Sequence, residues 1–417
     1  MGKQKRAVAD RGEVQGHGAA GRRGDAVRSD LWVSVEMRAK GGIEIDLTSR
    51  VEPYYGEAIR AQVGGILEAA GAEHARVEIE DTGALPFVVA ARVETALRRA
   101  GVEPGTAGLP ERAIDLPPAS AKDRVRRSRL YLPGNEPRYF INAGLHEPDG
   151  IILDLEDSVH ADEKDAARLV VRNALSAVDF RGAERMVRIN QLPLGHEDLQ
   201  AIVPQQPDMI LIPKVENAGQ VQEIDAGISS ILGPQADDRP VWLMPIIESA
   251  LGIERAFEIA GACERVAALT LGLEDYAADI GVPKSAEGDE SFYARTRAVN
   301  AARAAGVQAI DSVFGQVDDV EGLRRWCERS RRLGFVGMGC LHPRQIRVIH
   351  DAYNPTAAEI DKALRIVEAF EQATAAGLGV VSLGSKMIDP PVIKQAQRLV
   401  QQARELGLIA EDRSDRS

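Results

Sequence analysis

The sequence predicts an α/β chain: a (β/α)8 barrel, the TIM-barrel architecture, at 124–350, preceded by a small α+β domain at 28–101 and followed by a helical extension at 351–417. Three observations predict it. Eight short apolar runs between 124 and 350 alternate with longer amphipathic segments, the pattern of repeated strand–helix units in a parallel sheet. Eight such units in about 230 residues suit a closed barrel better than a doubly wound open sheet. A Pro-, Gly- and Ala-rich stretch at 102–123 with little periodicity reads as a linker between this region and a different pattern upstream.

The elements follow in order. Residues 1–27 are rich in glycine and carry Lys3, Lys5, Arg6, Arg11, Arg22 and Arg23, which reads as a disordered basic tail. "LWVSVEM" and "GIEIDL" alternate as strands do, and the intervening Gly41-Gly42 suits a hairpin. "YYGEAIRAQVGGILEAAG" has helical spacing, "ARVEIED" alternates again, and "PFVVAARVETALRRAG" reads as a second helix ended by Gly101. The barrel strands are "RLYLPG", "GIILDLED", "RMVRIN", "MILIPKV", "VWLMPIIE", "AALTLGLED", "QAIDSVFG" and "FVGMGCLHP". Most are continuously apolar, as strands covered on both faces are. Two further helices, "AEIDKALRIVEAFEQATAAG" and "PPVIKQAQRLVQQARELG", lie beyond the barrel.

Composition excludes several functions. Apolar residues make up 44% of the 417, enough for a large core. A formal charge of -12 and only 4% aromatics argue against nucleic acid as a partner. No apolar run reaches membrane-spanning length, and the amino terminus lacks the apolar core of a signal peptide. Cys263, Cys327 and Cys340 are scattered, so neither a disulfide frame nor a zinc site is expected. A cytoplasmic, reducing setting is the expectation.

In a barrel the active site forms at the carboxyl ends of the strands. Polar residues gather there: Asp154, Glu156 and Asp157 after the second strand, Arg188 and Asn190 after the third, Lys214 and Glu216 after the fourth, Glu248 after the fifth, Glu274 and Asp275 after the sixth, His342 after the eighth. Glu248 and Asp275 end consecutive strands. Two carboxylates brought together repel unless a cation joins them, and two oxygen ligands completed by water and substrate make a Mg2+ site. The same residues would also serve as helix caps or partners of an arginine. Arg188 sits in the apolar "VRIN" and points into the barrel mouth, either to bind a carboxylate in bidentate fashion or to pair with one of the acids. No Walker A or dinucleotide fingerprint opens the first unit, so nucleotide-driven and redox chemistry are not favoured.

The ordered motifs "SRLYLPGNEPR", "IILDLEDSV…DEK", "VRIN", "PKVE", "PIIESALGI", "LGLEDYAADIG" and "CLHPRQI" resemble the citrate lyase beta subunit and malyl-CoA lyase group of the HpcH/HpaI aldolase superfamily, over roughly 124–375. The resemblance implies a Mg2+-dependent barrel, usually a homo-oligomer (trimer or hexamer), that makes or breaks a C–C bond next to a thioester. It implies Glu248 and Asp275 as metal ligands and Arg188 as the residue that binds substrate and steadies negative charge. Arg129, Pro133 and Gly134 lie where the family contacts the substrate or thioester arm. Glu156 and Asp157 are near the site, as base or as organisers of Arg188. His342 is expected to position the last loop.

The segment 28–101, with "IDLTSRVEPYYGEAIRAQV" and "EDTGALPFVVAARVETALRRA", resembles the acyl carrier protein (gamma subunit) of citrate lyase. That resemblance implies a phosphoribosyl-dephospho-CoA prosthetic group on Ser29, the serine before Asp30. The family's Gly-Thr-Leu-Glu lead-in is replaced here by "GDAVR". Ser158 and Ser312, each between an acid and a valine, fall on barrel strands and are set aside. The expected reaction is retro-aldol cleavage of a citryl or related 3-hydroxyacyl thioester to a 2-keto acid and an acyl thioester, with a transferase subunit as a possible partner for loading the arm. The alternative is a lyase or thioesterase acting on free malyl-CoA-like thioesters with a degenerate carrier domain.

Overall fold

The computed structural model describes residues 14–105, 112–236, 239–375, 381–383 and 386–409. The first part of the expected tail, 1–13, and residues 106–111 of the expected linker lie outside them. The chain divides into two compact units, Met1–Ile346 and Arg347–Ser417.

The amino-terminal domain contains β1 (Val14–Gly21), β2 (Leu31–Arg38), β3 (Ile43–Ser49), α1 (Glu52–Ala69), β4 (Ala75–Asp81) and α2 (Pro86–Arg99). Its sheet runs β1-β2-β4-β3, with β3 parallel to β4 and the other pairs antiparallel. Leu31, Val33 and Val35 of β2 and Ala75, Val77 and Ile79 of β4 alternate into the core. Two expectations are corrected. Residues 14–21, read as part of a disordered tail, are a strand. Their glycines suit packing: a Cβ at Gly16 would meet the Ala100 carbonyl oxygen at 2.2 Å, and one at Gly18 the Ala96 carbonyl oxygen at 2.1 Å. The small residues let α2 lie directly on β1. Nor do β2 and β3 form a hairpin. The helix α1 gives the chain length for a parallel crossover, so β4 takes the centre, burying Ala75, Val77, Ile79 and Asp81, while β3, with Leu47 its one buried residue, becomes an edge.

The barrel strands are β5 (Ser128–Pro133), β6 (Gly150–Asp154), β7 (Glu184–Arg188), β8 (Met209–Ile212), β9 (Trp242–Ile247), β10 (Ala268–Leu271), β11 (Gln308–Asp311) and β12 (Gly337–Cys340). All pair in parallel and close in the order β10-β11-β12-β5-β6-β7-β8-β9. The eight expected strands are these eight. Ile152, Met186, Leu211, Met244 and Ile310 are among the residues of a fully buried cluster carried by them. The intervening helices include α3 (Lys164–Ala177), α4 (Leu194–Ile202), α5 (Ala218–Leu232), α6 (Ala250–Glu254), α7 (Ala256–Ala260), α8 (Leu273–Asp279), α9 (Phe292–Ala305) and α10 (Val320–Leu333).

The domain at 28–101 and the barrel belong to one compact unit. The helix α2 joins them. It buries residues on every side, Arg92, Glu94 and Thr95 among them. Glu94 accepts from both Nη atoms of Arg172 in α3, at 3.0 and 2.5 Å. Arg99 grips Asp165 through Nε and Nη2, at 2.9 and 2.7 Å. Asn173 donates to the Phe87 carbonyl at 3.1 Å.

After α11 (Arg344–Tyr353), the second unit pairs α12 (Ala357–Ala375) with α13 (Pro390–Glu405). Ala363, Ile366 and Ala373 pack on Ile393, Ala396 and Val400. The antiparallel pair β13 (Val381–Leu383) and β14 (Lys386–Ile388), which the helical reading of this region lacks, lies between the two helices in sequence.

Candidate active site

The polar ends of the barrel strands converge on a cavity of about 140 Å3, lined by Arg129, Tyr131, Arg188, Glu248, Asp275 and Asp311 among others. Glu248 and Asp275 also line a neighbouring recess of about 360 Å3 together with Lys214, Glu216, Ser249 and Asp279.

Glu248 directly follows β9 and is buried, at 5% exposure. Its Oε1 accepts the Lys214 backbone N–H at 3.3 Å. Burial, and a proton shared with the adjacent Asp275 carboxylate, push the Glu248 carboxyl up to about 8. Asp275 stands in the first turn of α8 and has no ion-pair partner among the described residues. Its neighbour Glu274 is taken by Lys284 at 2.6 Å. Gly272 makes room for the pair: a Cβ there would lie 2.8 Å from Cγ and Oε2 of Glu248. The mutual repulsion of two carboxylates pressed together is what a hard divalent ion relieves. Among the described residues no group of three or more His, Cys, Asp or Glu side chains forms a protein-only metal cage. A cation held here would take the rest of its shell from water and substrate.

Arg188 ends β7 and lies across the Tyr131 ring, 5.4 Å from its centroid. Nε and Nη2 donate to the two oxygens of Asp154 at 2.6 and 2.7 Å, while Nη1 meets Glu156 at 2.8 Å and Asp157 at 3.5 Å. Burial opposes charge on Asp154, but the bonds from Arg188 outweigh it and hold the carboxyl below its usual range. Arg188 is thus paired with acids, the second of the two readings, and it also lines the cavity. Glu156 is raised by burial, with Arg188 opposing and Asp157 adding to the rise. Lys214, in a left-handed conformation at φ 50°, reaches Glu156 at 3.3 Å and Asp157 at 3.6 Å. Glu156 and Asp157 face these cations, and neither is among the residues lining the two recesses.

Arg129 is buried in the barrel, donating to Thr270 Oγ1 at 3.1 Å and the Asp311 carbonyl at 3.3 Å. Pro133 and Gly134 close β5 against β6: Pro133 registers with Asp154, and the Gly134 N–H donates to the Asp154 carbonyl at 2.8 Å. They lie behind Asp154 rather than on the cavity wall. His342 accepts the Arg344 backbone N–H at Nδ1, 3.1 Å away, at the start of α11, in keeping with a loop-positioning role. The sequence puts Asp154 and Lys214 at strand ends without a role. Their partners come from β7 and from the turn after β6, and only the barrel brings these together.

Ser29 lies on the loop between β1 and β2, half-buried, at φ 54°. Its N–H donates to the Thr82 carbonyl at 3.2 Å, and its hydroxyl has no hydrogen-bond partner among the described residues. The next residue, Asp30, is buried and accepts from Arg92 Nε and Nη2 at 3.0 and 2.8 Å.

Comparison with known proteins agrees with both domains. Residues 127–343 match the HpcH/HpaI aldolase/citrate lyase family. Residues 22–100 match an acyl-carrier family model described as malonate decarboxylase delta subunit. Citrate lyase subunit beta of Leuconostoc mesenteroides subsp. cremoris is 39% identical over 69% of this chain and 96% of its own. The L-malyl-CoA/beta-methylmalyl-CoA lyase of Cereibacter sphaeroides is 34% identical over 69% and 96%. Among solved structures, the CitE protein of Mycobacterium tuberculosis in complex with magnesium, acetoacetate and coenzyme A is 29% identical, with a TM-score of 0.55 over 67% of this chain and 98% of that one. The same protein with magnesium and pyruvate gives a TM-score of 0.51 at 28% identity, over 67% and 100%. With its closed barrel, its strand-end acids and this coverage of its relatives, the chain belongs to the HpcH/HpaI aldolase/citrate lyase family of lyases and carries an acyl-carrier-like domain ahead of the barrel.

Proposed function

We propose that this enzyme is a Mg2+-dependent carbon–carbon lyase that cleaves a citryl thioester, or a related 3-hydroxyacyl thioester, to a 2-keto acid and an acyl thioester. The substrate would ride on a phosphoribosyl-dephospho-CoA arm at Ser29. The observation that carries the reading is the abutting pair Glu248 and Asp275, in a cavity that Arg188 also lines. The magnesium in the solved relatives supports it.

Glu248 and Asp275 would hold the Mg2+. When bound, the ion would neutralise charge on the keto-acid oxygens as a Lewis acid. Arg188, fixed by Asp154 and by the Tyr131 face, offers a preorganised guanidinium to the oxygen on which charge develops. The hydroxyl proton leaves to a carboxylate. Asp157 is the freer of the two candidates: its side chain is half exposed and its contacts to Arg188 and Lys214 are long, whereas Glu156 is buried between the same cations. The C–C bond then breaks, its electron pair forming the thioester enolate, and a proton at carbon completes the acyl thioester. Arg129 would contact the substrate at the cavity floor, and Pro133 and Gly134 would hold the β5 loop beside the arm.

In this reading the protein is a cytoplasmic homo-oligomer, trimer or hexamer, with a transferase subunit loading the arm. Among the described residues no helix is long and apolar enough to cross a membrane. The similarity to malyl-CoA lyases favours a second reading, a lyase or thioesterase acting on free malyl-CoA-like thioesters beside a degenerate carrier domain. Asp275→Ala should abolish Mg2+ binding by calorimetry and cleavage by product analysis while the circular dichroism spectrum is unchanged. Full activity of that variant would sink the metal assignment. Release of free acid and thiol with no keto acid would establish a thioesterase. An unmodified mass at Ser29, in protein active on CoA thioesters, would establish the second reading.

A further inference from the structure

We propose that the carrier-like domain is locked onto its own barrel and delivers to that barrel alone, so that the arm on Ser29 works in cis. The inference rests on the reading of Ser29 as the attachment point, and adds to it which of the available active sites the arm serves.

The contacts carry it. A carrier that shuttles between sites needs a surface that releases. Here α2 has fully buried polar side chains whose partners lie on the barrel. Glu94 and Arg172 are both buried and exchange two hydrogen bonds. The pair holds α2 in register on α3, and with the bond from Asn173 to the Phe87 carbonyl it gives the contact the buried, directional character of a fixed interface. Arg99 binds Asp165 in the first turn of α3, and its Nη2 also donates to the Asp162 carbonyl at 2.8 Å. The first turn of α3 and the loop after β5 both lie at the face where strands end, which is the mouth. Two more contacts reach that loop. Arg22, on the loop that carries Ser29, pairs with Glu136. Arg92 holds Asp30 and donates from Nη2 to the Asn135 carbonyl at 3.2 Å. Ser29 is therefore two contacts, Asp30 to Arg92 and Arg92 to Asn135, from the rim of its own barrel. Once the domains are docked in this way, the effective concentration of the arm follows from the fixed position of Ser29 and the length of the arm. The linker at 102–123 no longer sets it.

Two measurements test this. A protease site is placed between Gly105 and Arg112, both exposed, and the cleaved protein is run on a sizing column without denaturant. The two fragments should co-elute. Their separation would overturn the locked docking whatever Ser29 carries. For cis delivery, Ser29→Ala and Asp275→Ala chains are co-expressed in a host that makes the arm, the arm thiol is acetylated, and oxaloacetate and Mg2+ are added. Intact mass then follows each chain. Wild type should gain one oxaloacetate by the reverse condensation, in which the acetyl enolate forms a C–C bond to the keto carbon. The armed Asp275→Ala chain should gain none beside its Ser29→Ala partner. Mass gain on that chain would show transfer between subunits and overturn the proposal. Wild type without an arm would overturn the Ser29 reading and the proposal with it. An armed wild type that gains nothing would instead overturn the lyase chemistry on which both depend.

Discussion

Substituting Gly272 by Ala tests the metal site while both proposed ligands keep their identity. Gly272 precedes α8 at φ -109°, a conformation open to alanine, so the backbone is not strained. The new methyl meets Glu248 instead: 2.8 Å from Cγ and Oε2 and 2.9 Å from Cδ. Carbon contacts settle at about 3.5–4.0 Å, so the carboxylate must withdraw by roughly 0.7 Å. Glu248 is buried and has little room to do so. Misplacing a ligand through its neighbour typically weakens metal binding about 10- to 100-fold, which is about 1.4–2.8 kcal/mol. The cost to folding should be smaller, about 1 kcal/mol, because the displaced atoms end a side chain at a cavity wall. The assay is calorimetric titration with MgCl2 above pH 8, where Glu248 is ionised, with thermal melts of the same samples. Gly315→Ala is the control, since a Cβ there comes no closer than 3.9 Å to Glu274 Oε1, and it should bind Mg2+ as wild type does. Equal Mg2+ affinity in Gly272→Ala and wild type would refute the assignment of Glu248. A collapse of the melting temperature would instead mark the contact as part of the core.

Asp154→Asn should cost about 3 kcal/mol of stability, the low end for breaking a buried pair, because Arg188 keeps Glu156; an unchanged urea midpoint would contradict the pairing. Arg188→Lys keeps the charge but not the two-pronged hold on Asp154, and should lower kcat about 10^2-fold or more with the melting temperature little changed; wild-type kcat would remove Arg188 from the chemistry. Metal affinity should depend on pH with a definite sign. Mg2+ takes the ionised pair, so the apparent Kd should rise about tenfold per unit as pH falls below about 8, and level off above it; a flat profile across that range would exclude the shared proton. The same shift acts on folding. Glu248 is raised from 4.5, so its contribution to the stability of the metal-free protein is complete below about pH 4.5 and lost as pH rises through about 8. Excess Mg2+ should restore the melting temperature at the alkaline end of that window, and failure to do so would count against the site.

The barrel was legible because strands buried on both faces leave continuous apolar runs, which "MILIPKV" and "VWLMPIIE" show without any partner in view. The amino-terminal sheet was only partly so. β1 has no alternation to read. Gly16 and Gly18 look like a tail until α2 is laid over them, and that packing joins residues some 80 positions apart. The Gly41-Gly42 turn signal is local and cannot say that β4, arriving after α1, will come between the two strands it links.

The site divides along the same line. Glu248 and Arg188 stood out because each ends an apolar strand with a charge, and Asp275 because it follows the apolar run of β10 closely, although it stands in the first turn of α8. Asp154, Glu156 and Asp157 sit in one short run, "DLEDS", and nothing in it says that Asp154 is the one that takes two bonds from Arg188. That choice is made by β-register, where Asp154 stands opposite Arg188 on the adjacent strand. The docking of the domains was missed for a different reason. The helical spacing of this segment gives Arg92 and Glu94 no role. Yet "PFVVAARVETALRR" has apolar residues all round those two, and a helix apolar on every side is one covered on every side. A charge in such a helix needs a partner brought by another element. Asp30 and Arg172 are those partners, and the latter belongs to the barrel.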